Sequence, residues 1–314
     1  MHASPSLRDI RIALNHGDGQ MPAVGFGTLI ADGGRARQAF KLALEAGYRH
    51  FDCAERYRNE AIVGCAFAEA MASGVVRRKD LFVTTKLWNT NHRPERVEPA
   101  LDASLERLGI AYVDAYLIHT PFAFQPGDEQ DPRDEHGQPV YDTGVTLLDT
   151  WHAMEQLVDK GKCRAIGLSD ITLDKLKEIV AGARIKPSVV QVECHPYLPE
   201  WEMLEFCQLH GVVLLAFAPL GHGMEPRITE DATICRIAEH TGMTPAQVAL
   251  SWAAQRGTAF LTTSTSSAHI VENIGIATLP DDAMHDMRDG ITMRVRLNNV
   301  VNTGVPGFIP RKTA

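Results

Sequence analysis

Short, nearly unbroken apolar runs alternate along the chain with longer segments whose apolar positions recur every three or four residues. The short runs fall at residues 24–27, 48–52, 81–85, 113–119, 163–169, 189–192, 212–217 and 259–262. Most are rich in Val, Ile, Leu and Phe and bounded by polar residues, glycine or proline, which predicts eight buried strands. Between them, 35–46 sets Ala39, Leu42, Ala43 and Ala46 on one helical face, and 94–108 does the same with Val97, Leu101, Leu105 and Leu108. Pro94 suits a first helical turn, and Thr244-Pro245 opens 246–255 in the same way. A helix over 147–160 stops at Gly161.

Eight strand–helix units favour a parallel sheet closed into a (β/α)8 TIM barrel, an α/β fold, spanning 1–314 as one domain. The rival is an open doubly wound sheet, which wants G-x-G-x-x-G after its first strand. Gly25-Phe-Gly27-Thr-Leu-Ile30 supplies half of it. Residues 10–13, the turn 15–19 and residues 20–23 predict a short N-terminal β-hairpin, about 10–23, capping the barrel floor. The longest irregular stretch, about 121–144, follows the fourth strand on the face where barrel loops shape pockets. A C-terminal tail, about 291–314, follows the last unit, with 300–308 a candidate lid.

Composition narrows the function. Of 314 residues, 45% are apolar, enough for a large core, and the net charge of −8 argues against nucleic acid or an anionic membrane as partner. Six cysteines without a CxxC pair read as reduced thiols. With no signal core and no apolar run of spanning length, they point to a soluble cytoplasmic protein.

Four polar residues stand at or just past successive strand ends: Asp52, Tyr57 five residues later, Lys86 and His119. Singly, each is at home as a rim or core residue. Together, on consecutive strands of a barrel, they converge on one mouth.

These residues sit in long motifs. Gly47-Tyr-Arg-His-Phe-Asp52-Cys-Ala-Glu-Arg-Tyr57-Arg-Asn-Glu60-Ala-Ile-Val-Gly64 closely resembles the signature segment of the aldo-keto reductases. So do Thr85-Lys86-Leu-Trp-Asn89, Asp114-Ala-Tyr-Leu-Ile-His119, Ile166-Gly-Leu-Ser169, Gln191-Val-Glu-Cys-His-Pro-Tyr197 and Ile270-Val-Glu-Asn273, in order, over about residues 10–290. The resemblance implies a catalytic tetrad of Asp52, Tyr57, Lys86 and His119 and an NAD(P)H-dependent reduction of a carbonyl. Hydride arriving at carbon leaves charge on oxygen that an acid must neutralise. A phenol of pKa near 10 is weak for this unless its anion is stabilised, which a lysine held by Asp52 would do. His119 would position the carbonyl. No metal is called for, the histidines showing no ligand spacing.

The same resemblance implies a nicotinamide site of Gly27, Thr28, Asp52, Ser169, Asp170 and Gln191, with the Phe217 ring stacking and Pro219, Leu220 and Gly221 beside it. The adenosine end falls to Thr263, Ser264, Thr265, His269, Glu272 and Asn273. Three departures stand out. Phe217 replaces a common tyrosine and keeps the ring face needed for stacking. Asp170 replaces the usual asparagine, and a carboxylate accepts but does not donate. Thr263 and His269 replace the lysine and arginine that read the 2′-phosphate of NADPH. Each lost charge-assisted contact is worth roughly 1.5–3 kcal/mol, so NADH use, alone or beside NADPH, is expected.

Leu29 and Thr120 stand where the family often has tryptophan, which predicts a wider pocket walled by Trp88, Phe122 and Phe124 and a fairly bulky aldehyde or ketone substrate. The short segment 222–227 predicts an uncovered pyrophosphate and quick cofactor exchange. A monomer or weak dimer is expected. Rival readings are a non-catalytic nicotinamide-binding regulatory protein on the same fold, a metal-dependent hydrolase, which lacks ligands here, and a serine hydrolase, for which 167–171 lacks the second glycine of a nucleophile elbow.

Overall fold

The computed structural model of the chain describes residues 6–17 and 19–298. The hairpin is present as β1 (Arg11–Ala13) and β2 (Gln20–Pro22), paired antiparallel. The eight predicted strands follow: β3 (Val24–Gly27), β4 (His50–Asp52), β5 (Phe82–Leu87), β6 (Val113–Ile118), β7 (Cys163–Ser169), β8 (Val189–Glu193), β9 (Val213–Phe217) and β10 (Ala259–Thr262). They pair in parallel in sequence order, and β10 returns to β3, closing a (β/α)8 barrel. Closure excludes the open doubly wound sheet.

Helices cross between strands on the outside. They are α1 (Gly33–Ala46), α2 (Glu60–Ala72), α3 (Pro94–Leu108), α4 (Leu147–Asp159), α5 (Leu173–Gly182) and α6 (Trp201–Leu209), then α7 (Ala232–Thr241) and α8 (Pro245–Gln255) between β9 and β10. After the last strand come α9 (Ser267–Ile274) and the short α10 (Asp281–His285). The predicted starts and stops have visible causes. Asp32 caps α1 by accepting from the Arg35 N–H at 2.8 Å, which sets its start two residues before the predicted one. Gly47, at φ 104°, ends the helix in the left-handed region.

Strand periodicity divides the core in two. Phe82, Ala115, Leu117, Ala165, Val189, Val213, Leu215, Ala259 and Leu261 pack together in the barrel lumen. Their neighbours one residue along, among them Val83, Tyr116, Ile118, Ile166, Val190, Leu214 and Phe260, pack outward under the helices. Met21 and Leu14, with Ile12, join the lumen cluster, so the hairpin plugs the barrel floor as predicted. Full burial of Met21 is worth about 1.5–3 kcal/mol. At Gly167 in β7 a side chain would collide with the Val189 carbonyl oxygen and stand 2.7 Å from a Leu117 methyl, so only glycine lets β6, β7 and β8 close at this height.

Candidate active site

Each lumen-facing series, followed towards the C-terminal end of its strand, reaches Gly27, Asp52, Lys86, His119, Ser169, Gln191, Phe217 and Thr263. The register sets Gly27 beside Asp52 and Ser169 beside Gln191. The apolar lumen thus gives way at one end to a ring in which all but Gly27 and Phe217 are polar. Lys86 lies inside β5 rather than just past it, and so is fully buried.

The Lys86 ammonium donates to Asp52 Oδ2 at 2.6 Å, to the Tyr57 hydroxyl at 3.0 Å and to the Cys53 carbonyl at 3.1 Å. Asp52 Oδ1 accepts from Gln191 Nε2 at 2.8 Å, so both carboxylate oxygens are held. Burial alone would push Lys86 down, but Asp52 and the phenol oxygen hold it above its ordinary value, and it stays an ammonium. Tyr57 is brought in by a single helical turn, Glu55–Tyr57, followed by Arg58 in the left-handed region at φ 54°. Asn59 pins this turn by donating to the Thr28 carbonyl at 2.6 Å. Burial raises Tyr57 above its ordinary value, against the pull of Lys86, so the phenol stands protonated. Lys86 does favour the phenolate, as the sequence implies, but desolvation outweighs it in the resting site.

His119 meets Tyr57 and Trp88 edge-on, with ring centroids 5.7 and 5.1 Å away. Burial, with Lys86 and Arg56 nearby, holds it well below the ordinary histidine range, hence neutral. Its Nδ1 is buried without a partner, which leaves Nε2 for the cavity.

Above this cluster lies a cavity of about 530 Å³. Gly27, Asp52, Ser169, Asp170, Gln191 and Phe217 line it, as do Leu29, Trp88, Thr120, Phe122 and Phe124. The two phenylalanines and Trp88 form one apolar cluster with Tyr141. Thr120 spends its hydroxyl on Asn89 Oδ1 at 2.7 Å, and Leu29 is 57% exposed at the rim. A second cavity of about 670 Å³ continues from the first, sharing Leu29, His222, Leu261 and Thr263 with it. Pro219, Leu220, Ser264, His269, Glu272 and Asn273 line it. Besides the fully buried Lys86, three predicted residues do not reach either wall. Thr28 is buried with its hydroxyl on the Asp52 carbonyl, Gly221 packs against Leu297, and Thr265 is exposed beyond the cleft.

Several residues at the mouth escape sequence reasoning. Arg56 pairs with Asp131 at 2.5 Å, and Trp88 Nε1 donates to the Gln130 carbonyl at 2.6 Å, tying the 121–144 loop to β4 and β5. Nothing in the spacing links 56 to 131. Glu193, at the end of β8, accepts from His195 Nε2 at 2.9 Å and from the Leu297 and Asn298 N–H groups at 2.7 and 3.1 Å. Arg296 approaches it at 3.3 Å. The start of the tail is clamped here, and Asn298 joins the cavity wall. The signal was Glu193 inside the quoted Gln191–Tyr197 motif. The candidate lid at 300–308 lies outside the described residues.

A closed barrel whose mouth holds a buried lysine–carboxylate pair against a protonated phenol, beside two joined cavities, is the arrangement of a nicotinamide-dependent oxidoreductase. Residues 24–290 match the model of the Aldo/keto reductase family, and the chain belongs to that family of carbonyl reductases. It is 43% identical over 273 residues to aldo-keto reductase family 1 member A1 of Gallus gallus, covering 84% of this chain and 83% of that protein. The Rattus norvegicus member A1 is 40% identical over 271 residues, with the same shares. The prostaglandin-E(2) 9-reductase of Oryctolagus cuniculus is 42% identical over 279 residues, covering 85% and 86%.

Proposed function

We propose that this chain reduces a fairly bulky, largely apolar aldehyde or ketone to the alcohol, reversibly, with Tyr57 as the general acid. The observation that carries this reading is the three-way contact of Lys86 with Asp52, Tyr57 and the Cys53 carbonyl, buried at the base of the cavity.

Ser169, Asp170 and Gln191 hold the carboxamide of the cofactor, Phe217 stacks on its ring, and the second cavity takes the adenosine. The fit rests on two joined cavities and on Asp170, which lines the first of them and has a buried Oδ1 without a hydrogen-bond partner. Bound there, the reduced nicotinamide supplies the hydride. His119, neutral, donates from Nε2 to the substrate oxygen and orients it. Tyr57 passes its proton to that oxygen as charge develops. The phenolate left behind lies 3.0 Å from the Lys86 ammonium, in a site where little water screens the pair. Asp52 keeps that ammonium charged and aimed. In the reverse direction the same phenolate accepts the alcohol proton. The intact acid with its ion pair favours catalysis over the regulatory reading, since binding alone has no use for a proton donor.

NADH serves as cofactor, alone or beside NADPH. Among the described residues lining the adenosine cleft there is no lysine or arginine. Thr263 Oγ1 is spent on the Gly27 carbonyl at 3.0 Å, and Ser264 Oγ accepts the Ser266 N–H at 3.1 Å.

The test is loss of reduced-nicotinamide absorbance with a reactive aromatic aldehyde, in the wild type and in Tyr57→Phe. Reduction is expected to fall by about 10²–10⁴ in the variant while cofactor binding persists. Near-wild-type turnover by Tyr57→Phe would refute the assignment of the acid.

A further inference from the structure

Asp170 follows the last residue of β7 and turns back over the mouth. Its N–H donates to the Gln191 carbonyl at 2.9 Å, and its backbone lies in the left-handed region at φ 52°, a conformation that aspartate and asparagine tolerate best among residues with a side chain. It is only 7% exposed, lines the cavity, and has its Oδ1 buried with no hydrogen-bond partner. Among the described residues, no cation forms a hydrogen bond or ion pair with it. Lys86, from β5, is committed to Asp52 and Tyr57, and Arg296, from the tail, to Glu193 and Glu200. Glu193, from β8, adds a second carboxylate nearby, with His195 already bound to it. His119 and His222, which line the same cavity, are both held below the ordinary histidine range by burial.

We infer that Asp170 binds the nicotinamide carboxamide as a neutral carboxylic acid, donating to its oxygen while accepting from its NH2 group, so that cofactor binding takes up a proton. This rests on the proposed placement of the cofactor. A primary amide presents an acceptor and a donor side by side. A neutral carboxyl matches both, whereas a carboxylate matches only the donor and leaves the amide oxygen facing negative charge. Gln191 has spent one N–H on Asp52, which makes a second donor at this spot more valuable. Seating an uncharged ring over Asp170 strips water from a carboxyl with no cation of its own, which further disfavours the ionised form. The same physics already acts before binding: burial, with Glu193 beside it, lifts Asp170 to about 7 despite the pull of Arg296 and Lys86. The acid thereby regains the hydrogen-bond donor that the usual asparagine would have supplied.

The sign follows. The binding-competent neutral form dominates below that value and is lost as pH rises through it. Affinity therefore falls about tenfold per pH unit above 7. The experiment is a titration of full-length protein with NADH, whose reduced ring is uncharged, followed by quenching of intrinsic fluorescence between about pH 6 and about pH 8.5. Wild-type Kd is expected to rise roughly thirtyfold across that range, and calorimetry near pH 8 in buffers of differing ionisation enthalpy should register uptake of close to one proton. Asp170→Asn, which carries its donor at every pH, should bind with a nearly flat profile and no proton uptake. A flat wild-type profile, or the same slope in Asp170→Asn, would overturn the inference while leaving the reductase reading intact. No binding of NADH or NADPH at any pH would remove both.

Discussion

Replacing Asp52 with asparagine isolates the ion pair under the acid. In the wild type the Lys86 and Asp52 side chains are 0% and 3% exposed, with 2.6 Å between Nζ and Oδ2. Asparagine keeps the shape and one acceptor but removes the counter-charge. Its NH2 group then puts a donor where one accepting oxygen was, facing either the Lys86 ammonium or the Gln191 N–H. A buried charge left by removal of its partner typically costs about 3–5 kcal/mol. Lysine can escape part of this by losing its proton, which places its folded-state pKa below the ordinary 10.5. Linkage then gives the direction. In the wild type, Lys86 is held above its ordinary value, so its contribution is fully present below about pH 10 and stays level from pH 7 to 9. In Asp52→Asn the unfolded chain binds more protons than the folded one, so stability rises with pH. The deficit relative to wild type should be about 3–5 kcal/mol near pH 7 and shrink by up to about 1.4 kcal/mol per pH unit towards pH 9.5. Urea unfolding of both proteins at several pH values measures this, with equal m-values as the check that the unfolded states match. A deficit under about 1 kcal/mol, or one that does not change with pH, would refute the claim that this pair is a dry, mutually dependent unit.

Other expectations follow from the same geometry. Kd values for NADPH and NADH should lie within about a hundredfold, because the described cleft lining offers the 2′-phosphate hydroxyls and two histidines rather than a lysine and an arginine; tighter discrimination in equilibrium titrations would contradict this. Gly167→Ala should destabilise the barrel by at least about 1–3 kcal/mol, read as a lower Tm, because the new methyl meets the Val189 carbonyl across the β7–β8 ladder. An unchanged Tm would show that the strands part more easily than the packing suggests. The Tyr57→Phe and Asp170→Asn experiments complete the set.

Much of this protein was legible in its sequence because a strand has a period of two. Once a run such as 82–87 is recognised as a strand with Phe82 in the lumen, Thr84 and Lys86 must face the lumen too. The same count carries Ala115 and Leu117 to His119, and Ala165 and Gly167 to Ser169. The ring of polar residues at the mouth is a property of each strand read separately, so sequence reasoning reached it. Helices with an apolar stripe were equally readable, whereas α2, with Val63, Ala66, Phe67 and Ala70 buried in a nearly uniform apolar stretch, offered no stripe to count.

Three things belonged to the tertiary structure alone. The first is which loops meet over the mouth: Arg56 with Asp131, Gln130 with Trp88, Glu193 with Leu297 and Asn298. Those pairs are far apart in the chain, and no local periodicity encodes them. The second is where a hydroxyl is spent, as Thr28 shows by turning inward to the Asp52 carbonyl instead of towards the cavity. The third is protonation. Sequence names a tyrosine, a lysine and an aspartate, but burial decides that Tyr57 rests protonated despite Lys86 and that Asp170 is lifted to about 7. Charge states depend on how much water the closed barrel leaves around each group, and that quantity exists only once all eight strands have come together.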